Sequence, residues 1–359
     1  MNRIALVMIA RDEARCIARC LNSARDWVDE MWLLDTGSRD GTPALAADCG
    51  AQVAHFEWQD DFALARNAAL QLTHAPWRLI LDADEWIAAP AAAVQVLRDE
   101  LRAFCNQSQP AIGAVRVISQ AEAVEGLPQE APSWLPRLLP AGVAYAGRIH
   151  EQPDPLLPRK RLALCVHHDG YRRAQLEAKG DRNLRLLQRA LSDDPSDAYM
   201  RYQLGKEFEL RADFAAAQQA YALALPACPA QAGWRHDLVL RALFSLKKLR
   251  QFDRAWQLAL AEMPHWQHSP DFHFTLGDLL LDWALSQPQR AAEWLPAIEG
   301  HWLRCVEIGE RPDLQDSVSG RGSWLAAHNL AAFYGSLGQA RAAEHWRARA
   351  DQRVSSFGD

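Results

Sequence analysis

The chain has 359 residues, 49% of them hydrophobic and 23% charged, a composition that excludes a disordered protein and suits two domains of ordinary size. Its formal net charge of −6 excludes a general binder of nucleic acid or anionic membrane, since affinity for phosphate surfaces comes mainly from clustered Lys and Arg. Seven scattered cysteines without metal-finger spacing predict reduced thiols in a cytoplasm, and the absence of any long apolar run predicts neither signal peptide nor transmembrane segment.

Ile4–Ala10 is a continuous apolar run, short and β-compatible, and Asp12 is placed to cap a helix through Ile17 and Leu21, with Cys16 and Cys20 on one packed face. Glu30–Asp35 (EMWLLD) repeats the strand pattern, and Thr42–Cys49 is a short helix preceded by Asp40 and Gly41 as turn residues. Gln52–Phe56 is a third strand, Asp61–Leu72 a helix and Trp77–Asp82 a fourth strand. Strands alternating with helices at this spacing predict an α/β domain with a mostly parallel sheet covered on both faces. Ligands bind such sheets beyond the carboxyl ends of the strands. The polar punctuation falls there: ARDE after the first strand, DTGSRDGT after the second, DADE after the fourth.

Three carboxylates crowd the end of the fourth strand: Asp82, Asp84 and Glu85. One reading makes Asp82 a helix cap and leaves the others solvated. The other makes the triplet a site for Mg²⁺ or Mn²⁺, which bind through one or two carboxylates plus substrate phosphates and relieve the mutual repulsion. Convergence of three polar loops favours the cation. An aspartyl-phosphate phosphatase would place Asp-x-Asp after its first strand with Thr where this chain has Trp86, and a nucleotidyltransferase would carry a Gly-rich basic loop where this chain has MIARDEAR.

From about Gln175 the strand pattern stops and helix follows helix, with Pro at the expected boundaries. Leu204-Gly205, Phe208, Ala217, Tyr221, Ala224 and Pro229 have the spacing of a tetratricopeptide repeat, and Leu330-Ala331, Tyr334, Gly338, Ala343 and Ala350 form a degenerate copy. Leu238–Leu260 and Phe274–Leu295 read as further helix pairs. The expected organisation is a catalytic domain over 1–175 and an all-α tetratricopeptide-like array over 176–359.

The string MIARDEARCIARCLNSARDWVDEMWLLDTGSRDGT, then HFEWQDDFALARNAAL and WRLILDADEW, resembles the family 2 glycosyltransferases of GT-A fold, tightly over residues 3–90 and loosely over 135–171. It is similar to the bacterial subgroup that joins this domain to tetratricopeptide-like helices, including the sublancin-type peptide S-glycosyltransferases and the lipopolysaccharide-core glucosyltransferases. Where that subgroup typically has Lys-Asn-Glu, this chain has Arg11-Asp12-Glu13.

The resemblance implies a nucleotide sugar, most simply UDP-linked, with Mn²⁺ or Mg²⁺. Asp35 would contact the nucleobase, with Gly37 and Ser38 in its turn, while Ala10, Arg11 and Glu13 line the nucleotide pocket. Arg66 and Asn67 would lie near the nucleotide or diphosphate, the alternative for Arg66 being an ion pair with Asp60 or Asp61 on its own helix. Asp82 and Ala83 would border the ribose and metal, and Asp84 would coordinate the metal, joined by Asp82 and by His168 of the His-x-Gly-Tyr segment. Glu85 would support the loop. Glu151, in GRIHEQ beside His150, is the candidate general base of an inverting transfer, and Trp134 and Arg137 are placed to shape the sugar or acceptor pocket.

A peptide, protein or saccharide acceptor fits this reading, peptide being favoured by the helical array, which also offers a surface for a homodimer. The competing reading is a non-enzymatic helical-repeat adaptor whose α/β half has decayed. An intact Asp82/Asp84 pair, DTGS loop and His-Glu pair count against decay.

Overall fold

In a computed structural model, residues 3–120, 130–154, 157–169, 181–314 and 316–351 are described. The chain forms two compact units, Met1–Asp193 and Asp194–Asp359. The expected boundary at 175/176 lies outside the described residues.

The first unit is built on an eight-stranded sheet with the strand order β3-β2-β1-β4-β7-β6-β10-β5. Its first half runs β1 (Ile4–Ala10), α1 (Ile17–Ala24), β2 (Glu30–Asp35), α2 (Thr42–Asp48), β3 (Gln52–His55), α3 (Phe62–Leu70) and β4 (Trp77–Ile80). The second half adds β5 (Glu85–Ile87), α4 (Val94–Cys105), β6 (Ile112–Gln120), β7 (Glu130–Pro140) and β10 (Arg159–His168), with β8 (Ala144–Ala146) and β9 (Gln152–Asp154) as a separate two-stranded ribbon. Strand β1 is parallel to β2 and β4, and β2 to β3. Strand β7 runs antiparallel between β4 and β6, β10 is parallel to β6, and β5 is antiparallel to β10.

The continuous apolar run of β1 follows from burial on both faces. Leu6 and Met8 enter one core layer with Ile17, Cys20 and Leu21 of α1; Ala5 and Val7 enter the other with Ala63, Ala69 and Leu70 of α3. Register then sets Ala10 beside Asp35, and Asp35 beside His55, at the carboxyl edge.

Asp12 does not cap α1. The helix starts five residues later, its N-cap residue Cys16 makes no side-chain capping bond, and Asp12 sits at φ 56° with its carboxylate accepting from the Arg39 backbone N–H at 2.7 Å. An Asp tolerates the left-handed region, and here that conformation turns it toward the neighbouring loop. The helix-cap reading of Asp82 also fails, because a strand and not a helix follows the triplet.

In the second unit the described residues form four helical hairpins: Ala198–Leu210 with Phe214–Ala224, Arg235–Lys248 with Phe252–Trp266, Pro270–Ser286 with Ala291–Ile308, and Trp324–Ser336 with Ala340–Asp351. Gly205 lets the first pair touch: a Cβ there would lie 2.1 Å from Tyr221 Cε1. The third pair uses the same device, with Gly277 against Trp302 at 2.5 Å from the absent Cβ to Nε1. In the degenerate copy, Leu330, Ala331 and Ala343 are buried, and Gly338 makes its turn at φ 72°. Pro264 and Pro296 lie inside helices rather than at their ends.

Candidate active site

Three loops close the carboxyl edge. The loops after β1 and β2 are zipped together: Asp12 N–H donates to Ser38 Oγ (2.9 Å), Glu13 N–H to Thr42 Oγ1 (2.7 Å) and Ala14 N–H to Asp40 Oδ2 (3.0 Å). Asp40 also accepts from Thr42 N–H at 2.9 Å, as expected of a turn residue starting a helix. Asp35 is buried, accepts from the N–H groups of Gly37 and Ser38 at 3.2 Å, and lies 3.4 Å from His55 Nδ1. Gly37 holds φ 102°, which a side chain would strain. The backbone N–H groups therefore orient Asp35 while Arg11 stays exposed and Glu13 half-buried at the rim.

At the end of β4 the acids are arranged around two arginines. Arg66 of α3 donates from Nη2 to Asp82 Oδ1 at 2.7 Å and from Nε to Glu151 Oε1. Arg137 of β7 donates to Asp82 Oδ2 at 2.9 Å and to Glu85 Oε1. Glu85 is buried and also accepts from Asp82 N–H at 3.0 Å, which fixes the turn. Burial pushes the Asp82 carboxyl up, but the two guanidinium groups outweigh it and hold it well below the usual carboxylate range. Burial raises Glu85, against the pull of Arg137 and with the help of Asp82. Ion pairing of Arg66 with Asp60 or Asp61 on its own helix does not occur; Asp61 instead caps α3 by accepting from Leu64 N–H at 2.9 Å.

Asp84 faces His168 of β10, with Oδ2 3.3 Å from Nε2. Burial lowers the His168 imidazole, while its contact with Asp84 and the charges of Glu85 and Asp82 raise it above its ordinary value. The next residue, Asp169, is buried and takes bonds from Arg15 (3.0 Å) and Arg19 (2.8 Å) of the first loop and helix, so the end of β10 is tied back to α1. Gly170 and Tyr171 of the His-x-Gly-Tyr segment lie outside the described residues. Asn67 exchanges two bonds with the Tyr145 backbone, accepting at 2.7 Å and donating at 2.9 Å. It thereby positions the segment that leads through Gly147 (φ 96°) and His150 (φ 51°) to Glu151. Ala83 is buried within the triplet. Trp134 lies under Arg161, 4.8 Å from its ring centre to the guanidinium carbon.

The sequence-predicted residues thus fall into linked groups: Ala10, Arg11, Glu13, Asp35, Gly37 and Ser38 on the zipped loops; Asp82, Arg66 and Glu151 through one guanidinium; Asp84 with His168. The sequence places Arg137 near the sugar or acceptor pocket without showing its acidic partner, and it gives Asp169 no role. Arg137 is a direct partner of Asp82, and Asp169 anchors α1. A Pro-flanked Arg in a Pro-rich segment carries no strand signal, and Asp169 beside two histidines has no local partner to mark it.

Among the described residues no group of three or more His, Cys, Asp or Glu side chains is spaced to hold a metal ion by itself. A carboxylate oxygen and an imidazole nitrogen 3.3 Å apart nevertheless suit a hard or borderline cation that completes its shell with phosphate and water.

The mostly parallel sheet with acids at its carboxyl edge is that of a glycosyltransferase family 2 domain, and in this chain helical hairpins follow it. The profile described as Glycosyl transferase family 2 matches residues 5–139. A TPR repeat-containing protein of Synechococcus elongatus is 34% identical over 73% of this chain and 67% of its own length. The SPbeta prophage-derived glycosyltransferase SunS of Bacillus subtilis is 26% identical over 56% of this chain and 48% of its own length, so the chain spans about half of that relative. An uncharacterized glycosyltransferase of Rickettsia felis is 36% identical over 24% of this chain and 30% of its own length.

Proposed function

We propose that this chain is an inverting glycosyltransferase that moves a sugar from a UDP-linked donor to a peptide or protein acceptor, with Mn²⁺ or Mg²⁺ at the diphosphate. The supporting observation is that Asp84 with His168, and Asp82 with Arg66 and Glu151, gather at the carboxyl edge of a family 2 domain.

Asp35 accepts from the uracil imide N–H, and the loop carrying Gly37 and Ser38 fixes its orientation. Asp84 and His168 would hold the cation, with Asp82 as the remaining carboxylate of the set. When bound, the cation offsets negative charge growing on the diphosphate. The acceptor's hydroxyl or thiol attacks the anomeric carbon, the bond from that carbon to the phosphate oxygen breaks, and its electron pair stays on the nucleoside diphosphate. Glu151 takes the acceptor proton. Arg66 sets the direction of both Asp82 and Glu151 and is itself spent on them, so it orients carboxylates rather than meeting the donor alone. A peptide acceptor is preferred to a saccharide because helical-hairpin arrays present extended binding surfaces.

Nucleotide-sugar hydrolysis by the full chain, with Mn²⁺ or with EDTA, tests the donor half, since water substitutes for the acceptor. Slow Mn²⁺-dependent release of UDP from one donor is expected. No release or binding across UDP-, GDP- and dTDP-sugars refutes the reading. Intact-mass analysis of candidate peptides then reads the acceptor as a hexose-sized or N-acetylhexosamine-sized increment.

A further inference from the structure

The arginines around the site differ in what they already hold. Arg66 and Arg137 are committed to Asp82, Glu85 and Glu151, and Arg15 and Arg19 to Asp169. Arg148 reaches the Asp60 carbonyl and Asp193. Arg182, the first residue of the helix Arg182–Asp193, is different. Among the described residues it makes no ion pair; its Nε and Nη2 find only the side-chain oxygen of the adjacent Asn183, at 3.4 Å.

Arg182 is half-buried, and its guanidinium lies over the ring of Phe62 at 5.2 Å. Phe62 opens α3, the helix that carries Arg66 and Asn67. Burial disfavours the charged guanidinium, the nearby Arg11 disfavours it further, and Glu13 offsets this in part, so its pKa is lowered. Arg11 and Glu13 belong to the loop after β1. Arg182, held over the first residue of α3, therefore stands at the same carboxyl edge, partly desolvated, within electrostatic reach of Arg11 and Glu13. Such a charge is costly unless an anion completes it.

The planar fork of a guanidinium matches two phosphate oxygens, and a diphosphate carries more negative charge than one arginine neutralises. Resting on the donor reading above, we propose that Arg182, together with the exposed Arg11 of the loop after β1, binds the diphosphate of the nucleotide-sugar donor and of the departing nucleoside diphosphate. Arg182 lies beyond residues 5–139 that match the family profile. Its role follows from where the chain returns to the sheet edge.

Calorimetric titration of the full chain with UDP and UMP, and with GDP and GMP as a second base, tests this. Wild type, Arg182→Gln, Arg182→Lys and Arg11→Gln are compared. Arg182→Gln is expected to weaken the diphosphate by roughly 10- to 100-fold. The monophosphate should change far less, and Arg182→Lys should recover part of the loss. Equal diphosphate affinity in wild type and Arg182→Gln, with wild type preferring diphosphate to monophosphate, overturns the assignment and leaves the donor reading intact. Failure of wild type to bind any of the four nucleotides overturns both. If Arg182→Gln does not fold, the same comparison is made with Arg182→Lys, where an unchanged diphosphate-to-monophosphate ratio overturns the role of the planar fork.

Discussion

Replacing Gly205 by Ala tests whether the first helical hairpin closes as the structure shows. An added Cβ would meet Tyr221 Cε1 at 2.1 Å and Cδ1 at 2.5 Å, distances that no side chain tolerates without movement. The ring has little room to move: Tyr221 is fully buried, and its hydroxyl donates at 2.8 Å to Glu209, which also accepts from Arg241 at 2.7 Å. Overpacking a core costs about 1–3 kcal/mol, and a contact this short belongs at the upper end. Ala in place of Gly within a helix returns about 1 kcal/mol. The net loss is then about 2 kcal/mol, or a fall of roughly 4–8 °C in melting midpoint for a unit of this size. In a Tyr221→Ala background the clash is gone and only the helix-propensity gain survives, so the same change should become stabilising by up to about 1 kcal/mol. Urea denaturation of the wild type, both single variants and the double variant, followed by far-UV circular dichroism, gives the cycle. Gly205→Ala more stable than wild type, or the same effect in both backgrounds, would refute the packing argument.

Asp84→Asn should abolish Mn²⁺-dependent donor hydrolysis while leaving the melting midpoint close to wild type; a variant that keeps its metal dependence removes Asp84 from the cation site. Glu151→Gln should lower kcat by about 10²–10⁴-fold, the size of general-base effects, with donor Kd little changed as read by calorimetry. Burial raises the Asp237 carboxyl, but Arg241, Lys206 and the Tyr202 hydroxyl outweigh it and hold it below its usual value, so its folded pKa lies under the unfolded one. The stability it confers is present above the unfolded pKa of about 3.8 and is lost as pH falls through the folded value, and Asp237→Asn should flatten that acid limb in urea melts taken from pH 5 down to pH 2.

Much of the fold was legible because its signals are local. The uninterrupted apolar runs of β1 and β2 and the Asp40-Gly41 turn before α2 each depend on neighbours a few residues away, and their boundaries came within a residue or so. Gly205 and Tyr221 were readable as a pair because a repeat spacing encodes their contact. The linkage of Asp82 to Glu151 was not, because it passes through Arg66 across separations of 16 and 85 residues. Nothing in DDFALARNAAL says which acids Arg66 will choose over Asp60 and Asp61. Strand β7 was hidden for a different reason: Pro132, Pro136 and Pro140 argue against an interior strand. It nevertheless lies between β4 and β6, and its Arg137 supplies the second cation at Asp82.

Because one guanidinium serves both Asp82 and Glu151, these two acids do not behave as independent parts. Neutralising either one frees Arg66 to lean wholly on the other, so the damage from the pair should differ from what the separate substitutions add up to. The donor half and the acceptor half of the reaction would then share a hinge of charge.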